Sequence, residues 1–258
     1  MPSDTSAFDL TGRLALVTGS TRGIGRRLAE GLSAAGATVI VHGRDAASAS
    51  AVADEIGTTT GNPAHAAAFN VTDEAAVDTG IAAIEAGPGT VDVLVNNAGM
   101  QIRHPFTEFP TADWNTLIAT NLTSAFLVSK RVAAGMIARG GGRIVNIGSV
   151  QSQLARPNIT PYAATKGGIV MLTKGLCAEL APHGITANAI APGYFATELT
   201  QALVDDAEFS AWVAGRTPAA RWGDVADLVG PLVFLASDAS SFVNGQILYV
   251  DGGMTAVV

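Results

Sequence analysis

Tyr162 and Lys166 stand four residues apart in a stretch with helical patterning, so both side chains leave one face and can meet. A phenol with an ordinary pKa of about 10 is a poor base near neutrality. A fixed ammonium beside it, together with the positive ring of an oxidised nicotinamide, would favour the phenolate, which could take a proton from an alcohol or return one to a carbonyl oxygen. Ser149 follows the apolar run Arg143 to Ile147, where its hydroxyl could hydrogen-bond the reacting oxygen. Asn97-Ala98-Gly99 ends another apolar run, and Asn121 lies inside a long helical segment, an awkward place for an amide without a local task. A Tyr-x3-Lys pair alone is an ordinary helix-surface feature. In this company it points to alcohol and carbonyl chemistry.

That chemistry needs a hydride carrier, and the segment Thr18-Gly19-Ser20-Thr21-Arg22-Gly23-Ile24-Gly25 offers a place for one. It lies between a short apolar run and a helical pattern, where a glycine-rich turn lets backbone N–H groups and a helix N-terminus approach a pyrophosphate. The second strand ends in His42-Gly43-Arg44, with no carboxylate where an NAD enzyme would address the ribose 2′-hydroxyl. Arg44 and Arg22 instead offer two guanidinium groups to a 2′-phosphate. NADP(H) is the favoured cofactor and NAD(H) the alternative, since Asp45 is also within reach of a ribose.

The loop Met100 to Pro110 would overhang the nicotinamide end of the site. Arg103 could clamp a carboxylate in bidentate fashion, and His104 and Gln151 add groups suited to hydroxyls, so a polyhydroxy acid is a sensible substrate. The competing readings are an Arg103 pair with Glu108 and a His104 that satisfies a loop carbonyl.

The elements that must position these groups alternate along the chain. Strands are expected at Arg13 to Val17, Val39 to Val41, Ala66 to Val71, Val91 to Val95, Arg143 to Ile147, Ile185 to Ile190 and Gln246 to Val250. Helices are expected at Ile24 to Ala35, Ala46 to Ile56, after Asp73, and over Ala112 to Ile137, Tyr162 to Leu180 and Val225 to Leu235. This rhythm predicts an α/β fold, one doubly wound, Rossmann-type domain spanning 1–258 with about seven parallel strands and helices on both faces. Residues 1–10 read as a flexible lead-in, and 193–221, the least regular stretch, as a substrate lid.

Composition narrows the function classes. Fifteen Lys and Arg against 22 Asp and Glu leave a net charge of −7, which offers no broad basic face to nucleic acid or an anionic membrane. Charged residues make up only 14% of the chain and hydrophobic ones 48%, so subunit contacts are expected to hide some surface. The single cysteine, Cys177, fits a reducing compartment, and with no signal-peptide pattern at the start the chain reads as cytoplasmic. Four scattered histidines and no His-Glu-x-x-His motif suggest no metal at the site.

Taken in order, TGSTRGIG at 18–25, NNAG at 96–99, Asn121, Ser149, YAATK at 162–166 and APG at 191–193 give the chain a specific resemblance to the short-chain dehydrogenase/reductase family. The resemblance implies Tyr162 as acid and base, Lys166 lowering its pKa and binding the nicotinamide ribose, Ser149 orienting substrate, and Asn121 supporting a water in a proton relay. It implies a cofactor site built from Gly19, Ser20, Thr21, Arg22, Gly23, Ile24, Gly25, Arg44, Asn97, Ala98, Gly99, Tyr162, Lys166, Pro192, Gly193, Phe195 and Thr197. Asn70-Val71 stands where the family usually has Asp-Val for the adenine.

The segments RHPFTEFP, ITPYAATKG, APGYFATELT, RTPAARWGD and FVNGQILYVDGGM are similar to those of family members that act on sugar acids. This implies hydride transfer between NADP(H) and D-gluconate or 5-keto-D-gluconate, with Arg103, His104, Ser149, Gln151, Tyr162 and Tyr194 around the substrate, in a homotetramer. The alternatives are a 3-oxoacyl-carrier-protein reductase or another polyol or sugar dehydrogenase. A non-catalytic dinucleotide sensor is a third reading, against which the joint presence of Asn121, Ser149, Tyr162 and Lys166 argues.

Overall fold

The apolar run near the start forms β1 (Leu14–Val17), with Ala15 and Val17 on one face of a sheet and Leu14 and Leu16 on the other, all four buried. Burial on both faces is what a parallel sheet covered by helices demands. The computed structural model describes residues 6–258. After β1 come α1 (Gly23–Ala34), β2 (Thr38–Gly43), α2 (Ala46–Thr60), β3 (Ala64–Ala68), α3 (Glu74–Ala86) and β4 (Val93–Asn96). Then follow α4 (Thr111–Ile118), α5 (Ser124–Arg139), β5 (Gly142–Ile147), α6 (Thr160–Leu180), β6 (Ile185–Pro192), α7 (Gln201–Val204), α8 (Ala207–Arg216), α9 (Val229–Ala236) and β7 (Ile247–Val250).

The seven strands pair in the order β3-β2-β1-β4-β5-β6-β7, every pair parallel. From β1 the chain winds outward through β2 and β3, returns to β4 on the other side of β1, and winds outward again. The crossovers therefore diverge beyond the carboxyl ends of β1 and β4, and a crevice opens there. This is the doubly wound, Rossmann-type sheet that the strand and helix rhythm predicts.

Two apolar layers hold the helices. Leu28 and Leu32 of α1, Val52 and Ile56 of α2, and Leu232 and Leu235 of α9 cover one face. Val77, Ile81 and Ile84 of α3 with Leu127, Val128, Val132 and Met136 of α5 cover the other. Each such side chain contributes roughly 1.5–3 kcal/mol by leaving water.

Some boundaries differ from the sequence reading. The third strand runs Ala64–Ala68 instead of 66–71, and Asn70 falls in the turn after it. The long segment at 112–137 is two α-helices joined by a π-helical turn, Ala119–Thr123. The helix expected at 225–235 opens with a 3-10 turn, Val225–Leu228. Of the expected lead-in, residues 1–5 lie outside those described, while Ser6–Phe8 form a 3-10 turn and Leu10 is fully buried.

Candidate active site

The glycine turn closes over the carboxyl end of β1. Gly25 sits where the turn enters α1, and a Cβ there would lie 2.3 Å from both the Gly19 carbonyl oxygen and the Asn97 amide nitrogen, so only glycine fits. Gly23 has a φ of +56° with open space beside it. No side chain caps α1, whose first N–H groups are left for a ligand. Asn97 stitches the turn to β4, its amide donating to the carbonyls of Thr18 at 2.9 Å and Gly19 at 3.0 Å.

Behind the turn stands a residue the sequence reading passed over. His42 is buried at the end of β2, and the Gly19 N–H donates to its Nδ1 at 3.1 Å. The ring proton must then be on Nε2, which donates to the Phe69 carbonyl at 3.1 Å. Burial pushes the imidazole down to about 4, so it is neutral and holds the turn by hydrogen bonding alone. Ser20, expected among the cofactor contacts, is fully buried: its hydroxyl donates to the Val17 carbonyl and accepts from the His42 N–H, so it shapes the turn from within.

Arg22 and Arg44 are both exposed, and neither guanidinium has a hydrogen-bonding or ionic partner among the described residues. Gly43 packs against Thr21, where a Cβ would lie 2.7 Å from the threonine methyl, which brings the base of Arg44 up to the turn. Asp45 is committed elsewhere: it caps α2, accepting from the Ser48 N–H at 2.8 Å and the Ser48 hydroxyl at 2.6 Å. Asn70 accepts from the Thr72 N–H and hydroxyl, which leaves its NH2 free as a donor. The residues present thus fit a dinucleotide with a 2′-phosphate.

Across the crevice, β5 delivers Ser149, which caps a short 3-10 turn, Val150–Ser152, and accepts the Gln151 N–H at 3.1 Å. Gln151 is buried, and its side-chain oxygen has no hydrogen-bond partner. From α6 come Tyr162 and Lys166. Lys166 is buried, its Nζ donates to the Ile147 carbonyl at 2.8 Å, and it lies 5.7 Å from the centre of the Tyr162 ring. Burial lowers its ammonium to about 8.

In the protein by itself the Tyr162 phenol stands above its ordinary value, opposite in direction to the influence expected of Lys166. Burial holds Tyr162 above its ordinary value; the Ser149 hydroxyl within hydrogen-bonding reach opposes that, Tyr194 adds to it, and the Arg103 charge opposes it. The long helical segment explains Asn121. Its π-turn presents the amide to Met100, accepting from the N–H at 2.8 Å and donating to the carbonyl at 2.9 Å, and it also donates to Thr165 at 3.3 Å. Thr165 in turn donates to the Tyr162 carbonyl at 2.7 Å. Asn121 therefore ties the loop after β4 to the turn of α6 that carries Tyr162.

The loop after β4 divides its residues. Arg103 interacts electrostatically with Tyr162, Tyr194 and Arg156, and donates to the Gln101 side chain at 3.2 Å, not to Glu108. The His104 ring is held by Asp113 at 3.0 Å and by the edge of Phe109, so it braces the loop. In the irregular stretch after β6, Tyr194 joins Phe209, Trp212 and Trp222 in an aromatic nest with centroids 5.6–5.8 Å from its own. The Phe195 ring is buried against Gly223, so only its main chain is available to a ligand, and Thr197 caps the next turn with Thr200. Gly193 extends the pairing of β6 with β7 by donating to the Val250 carbonyl.

Known proteins resemble this chain over almost its whole length. Residues 19–255 match the family described as Enoyl-(Acyl carrier protein) reductase. The chain is 53% identical over 251 residues to the 5-keto-D-gluconate 5-reductase of Escherichia coli, covering 97% of this chain and 98% of that protein. It is 53% identical over 253 residues to the gluconate 5-dehydrogenase of Gluconobacter oxydans, covering 98% of each. Among solved structures, a gluconate 5-dehydrogenase from Burkholderia cenocepacia in complex with NADP and tartrate superposes with a TM-score of 0.96 at 54% identity, covering 98% of both chains.

Proposed function

This chain belongs to the short-chain dehydrogenase/reductase family, and we propose that it is the NADP(H)-dependent oxidoreductase that interconverts D-gluconate and 5-keto-D-gluconate. The observation that carries the reading is the convergence of Ser149, Tyr162 and Arg103 on one end of the crevice, with Gln151 in the same turn as Ser149. When bound, the nicotinamide supplies or accepts the hydride. Ser149 and Tyr162 hold the substrate oxygen, and Tyr162 gives or takes its proton. Lys166 keeps free N–H donors for the nicotinamide ribose, and Asn121, through Thr165, fixes the turn that carries Tyr162 and supports a water in the relay. Thr21 to Gly25 cradle the pyrophosphate, Arg22 and Arg44 take the 2′-phosphate, Asn70 and Val71 flank the adenine, and Asn97 to Gly99 with Pro192, Gly193, Phe195 and Thr197 border the nicotinamide.

Arg103 meets the carboxylate and Gln151 a substrate hydroxyl, while Tyr194 and the 193–221 segment form a lid over them. The family match is described by an acyl-carrier reductase activity, so reduction of an oxoacyl thioester is the second reading. Arg103, without a carboxylate partner among the described residues, favours the acid. The chain is read as one domain working in the cytoplasm, a compartment in keeping with its single cysteine. Exposed Trp114, Phe126 and Met171 on α4, α5 and α6 support a homotetramer.

The deciding experiment follows the loss of NADPH absorbance with 5-keto-D-gluconate, beside NADH and beside a short 3-oxoacyl thioester. Fast turnover of the keto acid with NADPH is expected. Turnover confined to the thioester would move the function to acyl reduction.

A further inference from the structure

Two guanidinium groups reach the site from different loops. Arg103 lies between β4 and α4, and Arg156 lies between the 3-10 turn at 150–152 and α6. The backbone N–H of His104 donates to the carbonyl of Asn158 at 3.3 Å, which ties the two loops together close to both arginines. Asn158 holds its place with a φ of 68°, a left-handed conformation uncommon outside glycine.

The two cations interact. The Arg156 charge disfavours the cationic form of Arg103, and both charges act on the Tyr194 phenol. Like charges set together in a partly desolvated place repel, and the arrangement becomes favourable when an anion sits between them. Among the described residues no carboxylate does so. Arg103 donates to the Gln101 amide, while the Arg156 guanidinium rests over the Phe209 ring, 5.4 Å from its centre. Phe209 belongs to α8 and packs on Tyr194, Trp212 and Trp222 at 5.7, 5.4 and 6.1 Å. Arg156 is therefore braced on the aromatic nest of the irregular segment after β6.

We propose that Arg156 is a specificity-determining residue that completes, with Arg103, a two-guanidinium clamp for the substrate carboxylate, and that its seat on Phe209 links filling of the clamp to settling of the 194–216 segment. A carboxylate has enough lone pairs to accept from both forks at once, whereas a neutral ketose leaves the two charges opposed. The proposal rests on the reading of the site as one for a sugar acid.

The test compares wild type, R103Q, R156Q and F209L, each first shown to melt cooperatively and to bind NADPH. One readout is the ratio of kcat/KM for 5-keto-D-gluconate to that for D-fructose; the other, independent of turnover, is tartrate binding to the NADPH complex, followed by tryptophan fluorescence. R156Q is expected to lower the ratio by about tenfold or more, through KM more than kcat, and to weaken tartrate binding by a similar factor. F209L, which keeps the cation and removes its seat, is expected to lose part of both. An unchanged ratio and unchanged tartrate binding in R156Q overturn the proposal, and loss in R103Q alone leaves a single-arginine clamp. If R156Q does not fold, F209L decides, and its wild-type ratio and binding overturn the proposal. A wild type that reduces only the thioester yet binds tartrate through Arg156 keeps the clamp and rejects the assigned substrate. A wild type that neither reduces the keto acid nor binds tartrate overturns both.

Discussion

The ammonium of Lys166 lies 5.7 Å from the centre of the Tyr162 ring and spends one of its protons on the carbonyl of Ile147, the last residue of β5. The pair is thus fixed to the sheet by the lysine. The tyrosine, raised by burial, starts as a phenol, suited to protonating a ketone. Tyr162→Phe removes that proton and is expected to lower kcat about 10²- to 10⁴-fold with NADPH affinity preserved. Steady-state rates beside a fluorescence titration of NADPH check both halves.

Lys166 also gives a pH signature. Its folded value near 8 lies below the ordinary lysine value, so the unfolded chain binds the proton more tightly. The cost of burying the charge is in full force below pH 8 and fades as pH rises toward the ordinary lysine value. Wild type should therefore gain Tm relative to Lys166→Met between neutral pH and about pH 9.5. A difference in Tm that stays constant with pH would contradict it.

Arg44→Ala is expected to raise the KM for NADPH about tenfold or more while leaving NADH little changed, because only NADPH carries the 2′-phosphate. Equal losses with the two cofactors would show that Arg44 does not read that phosphate.

Gly25→Ala and Gly23→Ala should separate packing from backbone strain. The first would press a methyl to 2.3 Å from Gly19 and Asn97 and is expected to abolish cofactor binding. The second meets no neighbour and pays only for its φ, about 1–2 kcal/mol of stability. Calorimetry and NADPH titration of the two variants check the contrast.

Gln151→Leu should exchange function for stability. It removes a buried oxygen with no partner, so Tm is expected to rise, while KM for the sugar acid increases as a substrate hydroxyl loses the side-chain amide. A variant with lower Tm and unchanged KM would show that a protein group or water already satisfies that oxygen.

The groups that the sequence made legible stand at fixed offsets from strand ends. Ser149 follows β5, Asn97 follows β4, and the turn follows β1, so placing the strands placed them too. Arg156 had no such signal: it lies in an unpatterned stretch, and Phe209 reaches it only through the fold. The task of His42 depends on Gly19 and Phe69, brought to it by strand pairing and the turn around it. The third strand was displaced because it is almost all alanine at the edge of the sheet, without the branched residues that mark a strand, while the apolar Phe69 and Val71 lie beyond its end. The π-turn was hidden because helical periodicity continues on both sides of it.

That turn also constrains how the gene can change. Deleting one residue from 119–123 would let the wide turn close to regular winding, with Leu127, Val128, Val132 and Met136 still facing the sheet. The loss would fall on Asn121, whose amide reaches Met100 and Thr165 from that turn. Single-codon deletions in this window should therefore survive a screen for folded chains and vanish from a screen for active ones.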